Sequence, residues 1–206
     1  MKINEISPFK SNPIYKTAKS MKPNAKYTGV SDRFNSLEIE LNRQGWKRIG
    51  KGAYGLVYEH PQFSYIFKIF YDDPDYFTYF NWARQHQNNP HVPKIKGKYI
   101  KINNKTYAVR MEKLKQLPSL GADKIIEKYI DPELQSKTKL NIANYSNVDK
   151  LSLYTNLSFL KQNYPELYEV IDYVKSNFSL ISQDLHGGNI MLRDEVIVIT
   201  DPVATQ

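Results

Sequence analysis

Gly50, Gly52 and Gly55, with Val57 two residues beyond, join two short runs of β-type residues, Trp46 to Ile49 and Leu56 to Glu59. No other feature constrains the fold of this chain as strongly. Without a Cβ the backbone can turn sharply, and its N–H groups can approach an anion closely. A dinucleotide-binding βαβ unit uses comparable glycine spacing but runs from a strand into a helix. Here the turn runs into a second strand, which argues against that fold and predicts an antiparallel hairpin. Three glycines alone also suit an ordinary hairpin, so their meaning depends on the residues downstream of them.

A third run, Ser64 to Tyr71, comes after the turn residues His60-Pro61-Gln62 and contains Tyr65-Ile66-Phe67-Lys68-Ile69-Phe70. Alternation puts Lys68 on the face of Ile66 and Phe70. An ammonium buried there needs an anionic partner. A nucleotide phosphate supplies one; snorkelling to the surface is the alternative. Asp75 to Gln87 is predicted helical, with Tyr76, Phe80 and Ala83 on one face. Tyr99 to Ile102 and Thr106 to Met111 form a hairpin around Asn103-Asn104. The order strand, strand, strand, helix, strand, strand predicts an α+β fold with one five-stranded, mainly antiparallel sheet and a helix against it. A further helix over roughly 32 to 44 precedes it, with Ser31 as candidate cap and Phe34, Leu37 and Leu41 at helical spacing.

After Glu112-Lys113-Leu114 the pattern turns helical: Ser119 to Tyr129, Val148 to Asn163, and Pro165 to Phe178, where Pro165 suits a first helical position. Leu167, Val170, Ile171 and Val174 line one face of the last. A short hairpin, Ile190 to Leu192 and Val196 to Thr200, ends the pattern. Asp184 and Asn189 lie five apart in the loop Asp184-Leu185-His186-Gly187-Gly188-Asn189, and Asp201 comes directly after the second hairpin strand. A carboxylate and an amide oxygen are hard ligands suited to Mg²⁺, and a further carboxylate can orient a substrate hydroxyl.

Composition narrows the classes further. With 41% hydrophobic and 24% charged residues the chain can bury a core. No apolar run reaches the ~18 residues of a membrane helix. The absence of cysteine excludes disulfides and Cys-ligated metal. A net charge of +8 favours acidic partners, but the lysines are dispersed and no nucleic-acid signature is present. Residues 1–30 are polar and punctuated by Ser7-Pro8, Asn12-Pro13 and Lys22-Pro23, which predicts a disordered tail, with an uncleaved secretion signal as the functional alternative.

The glycine turn, Lys68, Asp184 with Asn189, and Asp201 stand in the order of the protein kinase signature set. Residues 46 to 201 resemble that superfamily, a two-lobed fold with ATP·Mg²⁺ between sheet and helices. The resemblance implies that Asp184 is the catalytic base, that Asn189 and Asp201 bind Mg²⁺, and that Lys68 holds the α- and β-phosphates. Gly50, Gly52, Gly55 and Val57 would surround the nucleotide, with Met111, Glu112 and Leu114 at the gatekeeper and hinge. His186 stands where protein kinases have a catalytic-loop lysine, as in aminoglycoside and choline phosphotransferases.

Three departures point to a minimal kinase. Ser182-Gln183 replaces His-Arg before Asp184, Asp201-Pro202-Val203 replaces Asp-Phe-Gly, and the residues after Asp201 leave no room for an activation segment. The resemblance thus implies a reduced helical C-lobe and activity without activation-loop phosphorylation. The helix after Lys68 has no glutamate, and Asp75 is the best candidate to pair with Lys68. His186-Gly187-Gly188-Asn189-Ile190-Met191 and Ile199 to Val203 resemble the early protein kinases of T-odd phages. The bacterial type III effector kinases of HopBF type are similar in size and bring a polar leader, and residues 1–30 favour them. The expected activity is a Ser/Thr protein kinase acting on host proteins as a monomer, without nucleic acid or membrane. In the effector case it would be secreted into the host cell, and the family target would be the ninety-kilodalton heat-shock chaperone; otherwise it would be cytoplasmic. A small-molecule phosphotransferase and a non-catalytic nucleotide-binding pseudokinase are the alternatives.

Overall fold

The computed structural model describes residues 30–52, 55–103, 105–118, 122–129, 131–133, 156–179 and 189–203. The tail expected over residues 1–30 falls outside them except for its last residue, as do residues 148–155 of one expected helix. The chain forms two compact units, each discontinuous in sequence. One comprises residues up to Asp72 with Lys96–Lys113; the other comprises Asp73–Ile95 and the chain from Leu114 onward.

The first unit carries the five-stranded antiparallel sheet. Its strands are β1 (Lys47–Lys51), β2 (Gly55–Glu59), β3 (Tyr65–Tyr71), β4 (Ile95–Asn103) and β5 (Thr106–Glu112), in the order β1-β2-β3-β5-β4. Period-two alternation divides the side chains cleanly. Leu56, Tyr58, Phe67, Ile69 and Ala108 share one buried cluster with Leu37 and Leu41 of helix α1 (Val30–Arg43) and with Trp46, Ile100 and Ile102. The helix that covers this face therefore precedes the sheet. Its Leu37 and Leu41, one turn apart, are the apolar stripe that the sequence shows. The helix begins at Val30, so Ser31 is its second residue rather than its cap.

An aromatic wedge closes the β2–β3 end of the sheet. Trp46 stacks on Phe63 at 5.5 Å between ring centroids, and Phe63 stacks on Tyr65 at 5.1 Å. His60 lies tilted against Trp46 and Phe63, accepting at Nδ1 from Gln62 N, so its Nε2 carries the proton and donates to Gln44 O.

The second unit is built on helix α2 (Pro74–Gln85), strand β6 (Lys115–Gln116), helices α3 (Ala122–Glu127), α4 (Leu157–Asn163) and α5 (Pro165–Asn177), and strands β7 (Ile190–Arg193) and β8 (Val196–Ile199). Asp73 caps α2 by accepting from Asp75 N at 2.8 Å, with Pro74 in the first turn where no N–H is needed. Pro165 opens α5 in the same way, and Leu167, Val170, Ile171 and Val174 are its buried residues, as the spacing predicts. Strand β6, too short to be read from sequence, pairs with β7 and makes the last hairpin a three-stranded sheet, β6-β7-β8. Asp194 and Glu195, at φ of 47° and 70°, form the tight turn between β7 and β8.

Helix α2, although it lies between β3 and β4 in sequence, belongs to the second unit. The physical reason lies in its side chains. Tyr79 donates its hydroxyl to Ile199 O at 2.5 Å, and Trp82 stacks on Tyr173 of α5 at 4.2 Å.

The connection from α2 to β4 is tied to α5 and to the terminal hairpin through polar groups. Asn89 donates to Glu166 O and to the Glu169 carboxylate, each at 2.8 Å. Arg193 reaches back to Pro90 O and Val92 O. His91 is buried, and its Nδ1–H donates to Ile197 O at 2.7 Å. Burial is the main cause that holds its pKa below the usual 6.5, against the opposing effect of that hydrogen bond. The unfolded chain therefore takes up a proton on this histidine at a higher pH than the folded chain. Stability contributed by His91 is present above the unfolded value and is lost as pH falls through it toward the folded one. Melting temperature is expected to fall between about pH 7 and pH 5.5, less steeply in His91→Gln, which keeps a donor for Ile197 O; equal slopes in circular-dichroism melts would refute this.

Candidate active site

In the first unit the residues expected to face a nucleotide share one face of the sheet. Val57 lies opposite Lys68, Lys68 opposite Val109, and Ile66 opposite Met111, so Val57, Ile66, Lys68, Val109 and Met111 stand on the side away from the core that α1 covers. The sheet order makes this possible, because β3 is central and β2 and β5 flank it. Lys68 is 5% exposed, so the sequence-based expectation of a buried ammonium holds and the surface alternative fails.

The glycines differ in what requires them. Gly52 N donates to Gly55 O at 2.9 Å, closing the turn around residues 53 and 54, which lie outside the described residues. A Cβ on Gly55 would stand 2.8 Å from the backbone oxygen of Ile69 and 3.7 Å from Cε of Lys68. Gly55 is therefore needed for the close approach of β2 to β3, whatever ligand the turn accepts. A Cβ on Gly50 would meet only the side chain of Val57, at 3.3 Å. Gly55→Ala is expected to destabilise the fold by about 1–3 kcal/mol, because a backbone carbonyl must move, with Gly50→Ala costing less. Chemical denaturation of both variants checks the order.

Met111 and Glu112 end β5, and Leu114 is half-buried in the connection to β6. The chain passes from the first unit to the second at Lys113 and Leu114. This short unpaired stretch is where the sequence expects the hinge. The Lys113 ammonium pairs with the Glu59 carboxylate.

In the second unit Asn189 and Asp201 flank the β7–β8 hairpin. Ile190 pairs with Ile199, so the residues just outside that pair face each other. Thr200 N donates to Asn189 O at 2.8 Å and Thr200 Oγ1 to the same oxygen at 3.0 Å. Two residues twelve apart in sequence are thereby fixed at one end of one hairpin. Asn189 is 7% exposed, and Oδ1 of Asp201 is sealed from solvent. A carboxylate and an amide offer oxygen donors, the set that Mg²⁺ takes alongside waters and phosphate oxygens. Among the described residues no group of three or more His, Cys, Asp or Glu forms a metal cluster. Asp184 and His186, the expected base and its neighbour, lie outside the described residues.

Residues 12–205 match the family described as bacteriophage T7 protein kinase 0.7. The chain belongs to that kinase family. The sequence resemblance to phage early kinases and the protein-kinase-like α+β fold are both borne out. Among solved structures, this kinase-family chain is similar to the crystal structure of Rad53 1-466 in complex with AMP-PNP, with 19% identity and a TM-score of 0.39, over 82% of this chain and 42% of that chain. It thus spans less than half of that structure's length. A comparison with curated proteins found no match.

Sequence reasoning missed the residues that hold the hairpin of this kinase-family chain from outside. Strand β8 is an edge of its sheet, and α2 and the segment after it bind several of its outer backbone groups. Ile197 O accepts from the His91 ring, Ile199 N donates to His91 O at 3.0 Å, and Ile199 O accepts from Tyr79. Tyr79 on an apolar helix face and His91 in a Pro-flanked loop carry no motif. A signal was present only in their type, since a buried Tyr or His must find a polar partner.

Proposed function

We propose that the chain is an ATP- and Mg²⁺-dependent protein kinase that transfers the γ-phosphoryl group to Ser or Thr hydroxyls of host proteins. The observation that carries this reading is the pinning of Asn189 and Asp201 at one hairpin end by Thr200. The family match supports the kinase class, and its phage origin supports a host-directed phage enzyme over a secreted effector. Bound there, the metal would neutralise charge on the phosphate oxygens.

The remaining roles rest on each residue's surroundings. Lys68 offers a desolvated ammonium to the α- and β-phosphates, where low dielectric strengthens the attraction. Val57 and Met111 line the same face with apolar surface suited to a base. The backbone at Glu112 to Leu114 supplies hydrogen-bonding groups for its edge. Asp184 accepts the substrate hydroxyl proton, a role carried by the signature resemblance.

The test is incubation of the full chain with γ-labelled ATP and bacterial lysate, and separately with aminoglycosides or choline. Label on protein bands, recovered as phosphoserine or phosphothreonine and absent with EDTA, supports the proposal. Turnover confined to the small molecules would replace it with the phosphotransferase reading, and no transfer in either arm with intact nucleotide binding would favour a pseudokinase.

A further inference from the structure

Helix α2 has no glutamate to offer a phosphate-binding lysine, yet its Tyr79 hydroxyl ends on the backbone two residues before Asp201. Tyr79 is fully buried, and its hydroxyl donates to Ile199 O at 2.5 Å across 120 residues of sequence. Burial and then the Asp201 charge hold its pKa well above 10, so it stays a protonated donor. Ile199 N is meanwhile bonded to His91 O, and Thr200 N and Oγ1 to Asn189 O. Among the described residues, the bonds at Ile199 and Thr200 that fix the approach to Asp201 thus come from within the hairpin, from α2 and from the loop after α2. His91 contributes a backbone oxygen to Ile199, which any residue would offer. Tyr79 contributes a side-chain hydroxyl, which phenylalanine at the same position would lack.

We propose that Tyr79 is a positioning residue for the nucleotide's metal ion: by anchoring Ile199 O it sets the Asp201 carboxylate at its working distance from Asn189. This rests on the proposed kinase function, in which Asn189 and Asp201 hold the metal. The hydroxyl touches neither nucleotide nor metal and acts through the backbone of β8. Helix α2 thus acts on the metal carboxylate through a tyrosine hydroxyl and a backbone carbonyl. Loss of the hydroxyl leaves Ile199 O buried without its donor and lets the segment 199–201 relax.

The experiment uses the full chain and its Tyr79→Phe variant, with Val170→Ala as a control that removes buried apolar volume from α5 of the same unit but no hydrogen bond of the hairpin. Binding of a fluorescent ATP analogue is measured in EDTA and then titrated with Mn²⁺, whose free fraction is read by electron paramagnetic resonance, all at 10 °C so that each variant is folded. Tyr79→Phe is expected to bind the metal-free analogue as the parent does but to need roughly 10-fold more Mn²⁺ for half-saturation, the usual size of an outer-shell effect on a metal site. Val170→Ala is expected to match the parent in both. An unchanged Mn²⁺ requirement in Tyr79→Phe, beside a lost one in Asp201→Ala, overturns this proposal and leaves the kinase reading standing. An equal rise in Val170→Ala overturns it too, because the effect is then general loosening. A parent that shows no Mn²⁺-dependent binding overturns both.

Discussion

Asp201→Ala is expected to lower the rate of phosphoryl transfer by roughly 10³-fold while leaving the protein folded. The size reflects what the carboxylate supplies. In the proposed function Asp201 and Asn189 would hold a metal ion, which would supply neutralising charge to the phosphate, a contribution expected to matter most in the transition state. Asp201 sits just beyond β8, with one carboxylate oxygen sealed from solvent and its neighbour Thr200 fixed to Asn189. Alanine removes the charge but leaves every backbone hydrogen bond of the hairpin in place. The apolar strand before it, Val196 to Ile199, continues to bury its side chains. The comparison to make is initial rate with labelled ATP alongside a circular-dichroism melt. A folded variant with more than a tenth of the parent rate would remove Asp201 from the machinery.

The second large effect is at Lys68. Lys68→Met is expected to lower the transfer rate by about 10²-fold or more, since one preorganised cationic contact to a transferring phosphate chain is worth that much in a water-excluded site. Its ammonium leaves a central strand between Val57 and Val109, directly across from each. Methionine matches the stem and loses only the charge, so the strand pairing is kept. Lys68→Arg is expected not to rescue the rate. The planar guanidinium is wider than an ammonium and presents its donors as a rigid fork rather than as a compact point charge. Steady-state kinetics with lysate protein as acceptor, at saturating ATP, decides the point. Retention of the parent kcat in Lys68→Met would show that the buried ammonium is a structural group.

The first half of the chain was legible because its information is local. Alternation in Tyr65 to Phe70 put Lys68 on a defined face, and the glycine turn leading into Leu56-Val57-Tyr58 announced a hairpin. Register came with the hairpin, and with register the shared face of Val57, Lys68 and Met111. The partners of helices were not legible in the same way. Both α1 and α2 show an apolar stripe, and a stripe states that a helix is covered without stating by what. The sheet takes Leu37 and Leu41 of α1, while Tyr79 and Trp82 of α2 go to Ile199 and Tyr173. The supports of Asn189 and Asp201 escaped for a related reason. They run to backbone carbonyls, which every residue has, so no pattern of residue types marks them. Thr200 was visible only as a strand end.

The bond from Tyr79 to Ile199 has a bearing on how such a chain is made. A ribosome delivers α2 early and β8 more than a hundred residues later. Until α5 and then β8 emerge, the helix has its aromatic stripe ready and its destinations unsynthesised. The sheet of the first unit faces a milder form of the same delay, because its two sequence segments are separated only by Asp73–Ile95. The second unit is therefore the late event in assembly, with a long loop to close before its first packed helix finds its place. The residues proposed to hold the metal lie at the end of that closure, so that part of the catalytic machinery is completed by the same step that buries α2.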